Sequence, residues 1–194
     1  MTETQREFSK IALHEASHAI TALALGFSVR QIDLRIIAGA ISGTTHVRFT
    51  PGAKRSRRAA VLLAGSLGAN MFRHRRLTVL PISTMPCQRP TPRHERREAQ
   101  AVERFRFDQT AEQSGSLWTG DLGGIEELLC GCRNRAIIEG RAHRLVQRAL
   151  SVNDRIVVRL AQRLLICNQL CGEQLQELGR EVIRIDTQNR DIGL

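Results

Sequence analysis

Tyrosine is absent from these 194 residues, and Lys10 and Lys54 are the only lysines. Aromatic residues make up 4% of the chain and hydrophobic residues 42%. A core drawn from that set must rest on Leu, Ile, Val and Ala, which suits helices. No run approaches the roughly 18 uninterrupted apolar residues of a membrane-spanning helix, so no span is expected. Residues 2–10 are polar, and no cleavage site follows an apolar run, so no secretory leader is expected. No Gly-x-x-x-x-Gly-Lys-Ser/Thr phosphate loop occurs, nor any Gly-Lys pair. Cys-x-x-Cys spacing is missing too. Cys87, Cys130, Cys132, Cys167 and Cys171 are odd in number, which points to free thiols in a reducing cytoplasm. The alternative is a second metal site built from Cys130, Cys132, Cys167 and Cys171.

Positive charge is plentiful. The net charge is +10, almost all from arginine. Such a balance suits nucleic acid, an acidic membrane surface or an acidic protein partner, and equally a solvated face. The length fits one domain over 1–194 with an insertion. Pro81, Pro86, Pro90 and Pro92 exclude a regular helix over 77–92. A highly charged stretch at 93–113 follows and has the composition of an exposed helix. Together they form a basic Pro/Arg-rich insertion at about 73–117. Phe105, Phe107 and Trp118 could add aromatic contacts to it.

The chemistry concentrates in His14-Glu15-Ala16-Ser17-His18, an H-E-x-x-H sequence. Histidines four apart share one face of a helix, so both rings can reach one metal ion. Zinc takes nitrogen ligands at about 2.0–2.1 Å, which suits this spacing. Glu15 would lie beside the metal rather than on it, placed to take a proton from activated water and hand it to a leaving amine. Ile11, Ala12, Leu13, Ala16, Ala19, Ile20 and Leu23 surround the motif with apolar residues, so the helix should be at least half buried.

Read in order, the pattern predicts a helix over about 3–25 closed by Gly26. A strand follows at 28–37, with Ile32, Leu34 and Ile36 on one face. Residues 38–43 read as turn material before a second strand at 44–50, with Thr45, Val47 and Phe49 on one face. A helix over 57–72 contains Gly65 and Gly68, which permit close packing. Later helices are expected from Thr119 or Asp121, over 133–150, through 166 from a cap at Asn153 or Asp154, and over 173–183. The fold expected is mainly α (α+β), with a small two- or three-stranded sheet beside the H-E-x-x-H helix.

A catalytic zinc site needs a third protein ligand. A third histidine in H-E-x-x-H-x-x-G-x-x-H spacing is excluded, because Thr21 and Ala24 occupy those places. Between Glu15 and Glu95 the only acid is Asp33, which reads as an exposed strand residue. Asp121 opens a helix and precedes an apolar run; Glu126 follows it.

His14-Glu15-Ala16-Ser17-His18-Ala19 resembles the H-E-A-G-H-A motif of the protease domain of FtsH-type zinc metalloproteases. Ile41-Ser42-Gly43-Thr44-Thr45 resembles that family's Leu-Gly-Val-Thr strand. Leu63-Ala64-Gly65-Ser66-Leu67-Gly68-Ala69 sits where the family has a Gly-Arg-Ala-Ala-Glu helix. Thr119-Gly120-Asp121-Leu122 is similar to its Asn-Asp-Leu segment, and Leu170-Cys171-Gly172-Glu173-Gln174-Leu175 to its Leu-x-Gly-Glu-x-Leu segment. Ser17 stands where the family has glycine, and the acids of the Gly-Arg-Ala-Ala-Glu helix are absent.

The resemblance implies a helical, zincin-like metalloprotease domain standing alone without the family's ATPase module or membrane anchor. It implies Asp121 as third zinc ligand with His14 and His18, and Glu15 as general base and then acid. It also implies that Thr44, Thr45, His46 and Val47 form an edge strand that an extended polypeptide substrate joins. His46 and His143 are candidates for stabilising the oxyanion. The expected function is zinc-dependent, ATP-independent hydrolysis of unfolded or flexible polypeptides, by a homo-oligomer or with a separate unfoldase. The alternative is a non-catalytic relative using its basic insertion to contact nucleic acid or an acidic protein.

Overall fold

A computed structural model of the chain describes residues 3–37, 40–75, 77 and 119–185. Helix α1 (Glu3–Ala24) runs through the middle of the fold. Residues on all its sides are buried, including Ile11, Ala12, Ala16, Ala19 and Ile20, which is the pattern of a core helix rather than a surface one. Gly26 ends it at φ +77. The Gly26 amide donates to Leu23 and the Phe27 amide to Ala22, both at 2.9 Å. This is a Schellman closure, for which glycine's access to positive φ is needed.

The chain then builds strands β1 (Ser28–Ile37) and β2 (Ala40–Arg48), paired antiparallel. Helix α2 (Arg55–Met71) packs back on α1. After the segment outside the described residues come α3 (Thr119–Leu129), α4 (Arg135–Val152), α5 (Asp154–Cys167), β3 (Gln169–Cys171) and α6 (Glu173–Glu181). The described residues are thus mainly helical, with one three-stranded antiparallel sheet in the order β2-β1-β3. No helix among them is long and apolar enough to cross a membrane. The basic insertion, apart from its first few residues, lies outside the described residues, as do Cys87, Phe105, Phe107 and Trp118.

Register decides what the sheet shows to α1. Ile32 pairs with Thr45 and with Leu170, and Leu34 pairs with Gly43. Ile32, Leu34, Ile41 and Leu170 are buried in the core shared with α1 and α5. Gly43 and Thr45 therefore face α1 as well, by the period-two alternation of a strand. Asp33, Thr44 and His46 fall on the opposite face.

Several expectations require correction. Residues 40–43 are strand, not turn, so β2 starts earlier and stops before Phe49. Asp33 is not an exposed strand residue: it is 4% exposed, accepts a 2.7 Å bond from Gln31 and lies 3.6 Å from His46. A buried carboxylate needs such partners, and the hydrogen bonds and Arg35 outweigh burial and hold it below the usual carboxylate range. Asn153 makes no side-chain cap for α5. Instead it is 1% exposed and bridges Ala149 and Ile183.

Candidate metal centre

Two elements bring three side chains to one point. His14 and His18 lie one turn apart on α1, with their Nε2 atoms 2.9 Å apart. Asp121 enters from the first turn of α3, where the helix dipole favours a carboxylate. Its Oδ2 stands 2.9 Å from His14 Nε2 and 3.0 Å from His18 Nε2. All three residues are buried or nearly so. Among the described residues, this is the one group of three or more His, Cys, Asp or Glu with ligand atoms within 4.8 Å of one another.

The donor set fits a small cation. Four-coordinate zinc with ligands at about 2.0–2.1 Å holds neighbouring donor atoms about 3.3–3.4 Å apart. The observed triangle is a few tenths of an ångström tighter. His18 Nδ1 donates to the Val61 carbonyl at 2.7 Å. That bond orients the ring and leaves Nε2 to serve as the donor atom, the arrangement expected of a metal-binding histidine. Val61 lies on α2, so the helix that covers the site also sets its ligand geometry.

Charge in the cluster is divided unevenly. Burial would lower the His18 pKa, but the Asp121 carboxylate outweighs it and pushes it up to about 9. Burial and the neighbouring His18 push His14 down to about 4. Burial would raise Asp121, but the two histidines hold it well below the usual carboxylate range. Without a metal, the positive charge facing Asp121 is thus a proton on His18, which a bound cation would replace.

Glu15 stands beside the cluster and is 5% exposed. Burial pushes its pKa up to about 7, with His18 and the Thr45 hydroxyl opposing. A cation held nearby would lower it by attraction. Thr45 Oγ1 donates to Glu15 Oε2 at 2.6 Å and lies 3.2 Å from the Glu15 main-chain oxygen.

Glycines make this packing possible. A Cβ on Gly65 would lie 2.3 Å from His14 Cε1 and His18 Nε2. One on Gly43 would lie 2.5 Å from Glu15 Cγ, and one on Gly68 1.9 Å from Ser17 Oγ. Ser17 is fully buried, and its hydroxyl bonds to Leu13 O at 2.6 Å. The space left by Gly68 is therefore what admits serine in the motif.

The structure separates the remaining candidates from this centre. Asp33 lies on the far face of the sheet with His46, so neither joins it. Glu126 is bound to Arg135 on the surface. His143 is exposed on α4. Thr44 lies on the face opposite Thr45, and Val47 packs against the core. Thr45 faces Glu15, so its side chain is turned away from solvent on the other face of β2. Cys130, Cys132 and Cys167 are unbridged thiols, and no described cysteine belongs to a metal-sized cluster. Reading residues one by one missed Val61 O and the contact of Gly43 with Glu15, because both depend on tertiary packing. No protein-family model and no curated protein matches the chain.

Proposed function

We propose that the chain is a zinc-dependent peptidase domain of the FtsH protease type. The observation that carries this reading is the convergence of His14, His18 and Asp121 on one point with buried Glu15 beside it. A purely structural zinc site needs no buried carboxyl outside its ligand set. His14 and His18 would hold the ion through Nε2 and Asp121 through Oδ2. Bound zinc supplies Lewis acidity, which brings the pKa of water from 15.7 to about 7 and polarises a carbonyl.

Glu15 does the proton work: it accepts a proton from the attacking water and gives one to the departing amine. Burial keeps its carboxyl from solvent, so proton exchange is confined to the site. β2 lies at one edge of the sheet. Its free edge offers main-chain hydrogen bonds to an extended substrate passing Glu15. This restricts substrates to unfolded or flexible segments.

Metal content and cleavage test the reading together. Mass spectrometry should find about one zinc per chain in the wild type. H14A and D121A, purified alike, should lose it. Digestion of an unfolded polypeptide should stop on chelation and return with added zinc. A chain that takes up no zinc even after reloading would remove the peptidase reading.

A second reading has its own observation. On α4, Arg141, Arg144 and Arg148 are exposed and follow one another on a single outer stripe. Ile137 and Val152, 56% and 42% exposed, lie on the same stripe. The one acid of the helix, Glu139, lies toward the inner side and binds Arg135. Such a stripe suits a phosphate backbone. Replacing the three arginines with glutamine should reduce the salt dependence of nucleic-acid binding by about 2.7 in log–log slope. An unchanged slope would exclude the stripe as the contact surface.

A further inference from the structure

We propose that Thr45 is a positioning residue that holds the Glu15 carboxylate in its working orientation; the inference rests on the peptidase reading above. Glu15 leaves α1 with three rotatable side-chain bonds, and a general base must be held to within a fraction of an ångström of its proton. Two residues of β2 do this. Gly43 presents no Cβ, which leaves room for Glu15 Cγ, Cδ and Oε1 against the strand. Thr45 holds the other carboxylate oxygen, with its hydroxyl 2.6 Å from Oε2. The bond is charge-assisted when Glu15 is ionised, which places it among the stronger hydrogen bonds.

The strand carrying this hydroxyl is itself fixed. Thr45 pairs with Ile32, which is fully buried. On the opposite face, buried Asp33 draws Gln31 and His46 together across the two strands. β2 is thus anchored from both sides, with its inward hydroxyl aimed at Glu15.

The test compares wild type, T45V and T45S, with zinc content measured for each. Valine keeps the branched shape and removes the hydroxyl; serine keeps the hydroxyl and removes a methyl group. T45V should retain zinc and lose about 10- to 100-fold in kcat, with KM changed less than about twofold. T45S should recover most of that loss. Crystal structures of wild type and T45V read the carboxylate's position independently of turnover. They should show it against Thr45 in the first and displaced in the second. An unmoved carboxylate in T45V, an unchanged kcat, or equal losses in T45S and T45V would overturn the proposal. A held carboxylate in a zinc-bound wild type that cleaves nothing would instead sink the peptidase reading alone.

Discussion

G65A should lose about a hundredfold in zinc affinity while remaining folded. The added methyl would sit 2.3 Å from atoms of both histidine rings. No rotation of one ring relieves the clash, since His14 and His18 meet it together. Either the rings leave the point they share with Asp121, or α2 moves off α1 and takes the Val61 carbonyl away from His18. Both routes break the donor triangle. Helix propensity works the other way, because alanine is favoured over glycine by about 1 kcal/mol inside a helix. That gain offsets part of the strain, so a soluble, helical and metal-poor protein is the expected product.

Gly123 supplies the control. It lies in α3, two residues from Asp121, and among the described residues nothing lies within 4 Å of a Cβ added to it. G123A should keep its zinc and gain about 0.5–1 kcal/mol in chemical denaturation. Wild-type zinc affinity in G65A would mean that the histidines coordinate elsewhere than toward α2.

The sequence was most readable where one element decides its own fate. β1 carries an alternation strong enough to set its bounds at Ser28–Ile37, and α1 ends within a residue of the position Gly26 indicates. Readability fell where tertiary contact overrides local preference. Ser42-Gly43 has turn composition, yet it lies in β2 because Gly43 must pass close to Glu15. β3 spans three residues, too short for any period to register, and exists because Leu170 completes the core beside Ile32. Asp33 has the pattern of a solvated residue and is buried by its neighbours on the sheet face.

The site divides in the same way. Helical spacing alone puts His14 and His18 together. Asp121 joins them from 103 residues beyond His18, a contact that no local pattern encodes. For that residue the resemblance to FtsH-type proteases was the only guide, while the choice between Asp33, Asp121 and Glu126 stayed open on chemistry alone. Gly65 and Gly68 signalled close packing of α2, but not that the partners would be the two histidines and Ser17.

E15Q should move activity and stability in opposite directions. The amide keeps the shape of the side chain and can accept the Thr45 hydrogen bond, so zinc content should not change. It cannot take up and release a proton, so cleavage should fall by about 10²–10⁴-fold. Stability follows from the sign of the pKa shift in the metal-free protein. Burial raises Glu15 from its ordinary 4.5 to about 7, so the folded state holds this proton more tightly than the unfolded one. The stability due to that proton is complete below about pH 4.5 and is lost as pH rises through 7. Glutamine has no such loss. Metal-free E15Q should therefore gain on the wild type between pH 4.5 and 7, reaching on the order of 3 kcal/mol above pH 7, at about 1.4 kcal/mol per pKa unit. A buried carboxyl that weakens the fold near neutral pH supports the proposed role of Glu15 in proton transfer. Cleavage within tenfold of wild type in E15Q, or a variant less stable than wild type at pH 8, would break that inference.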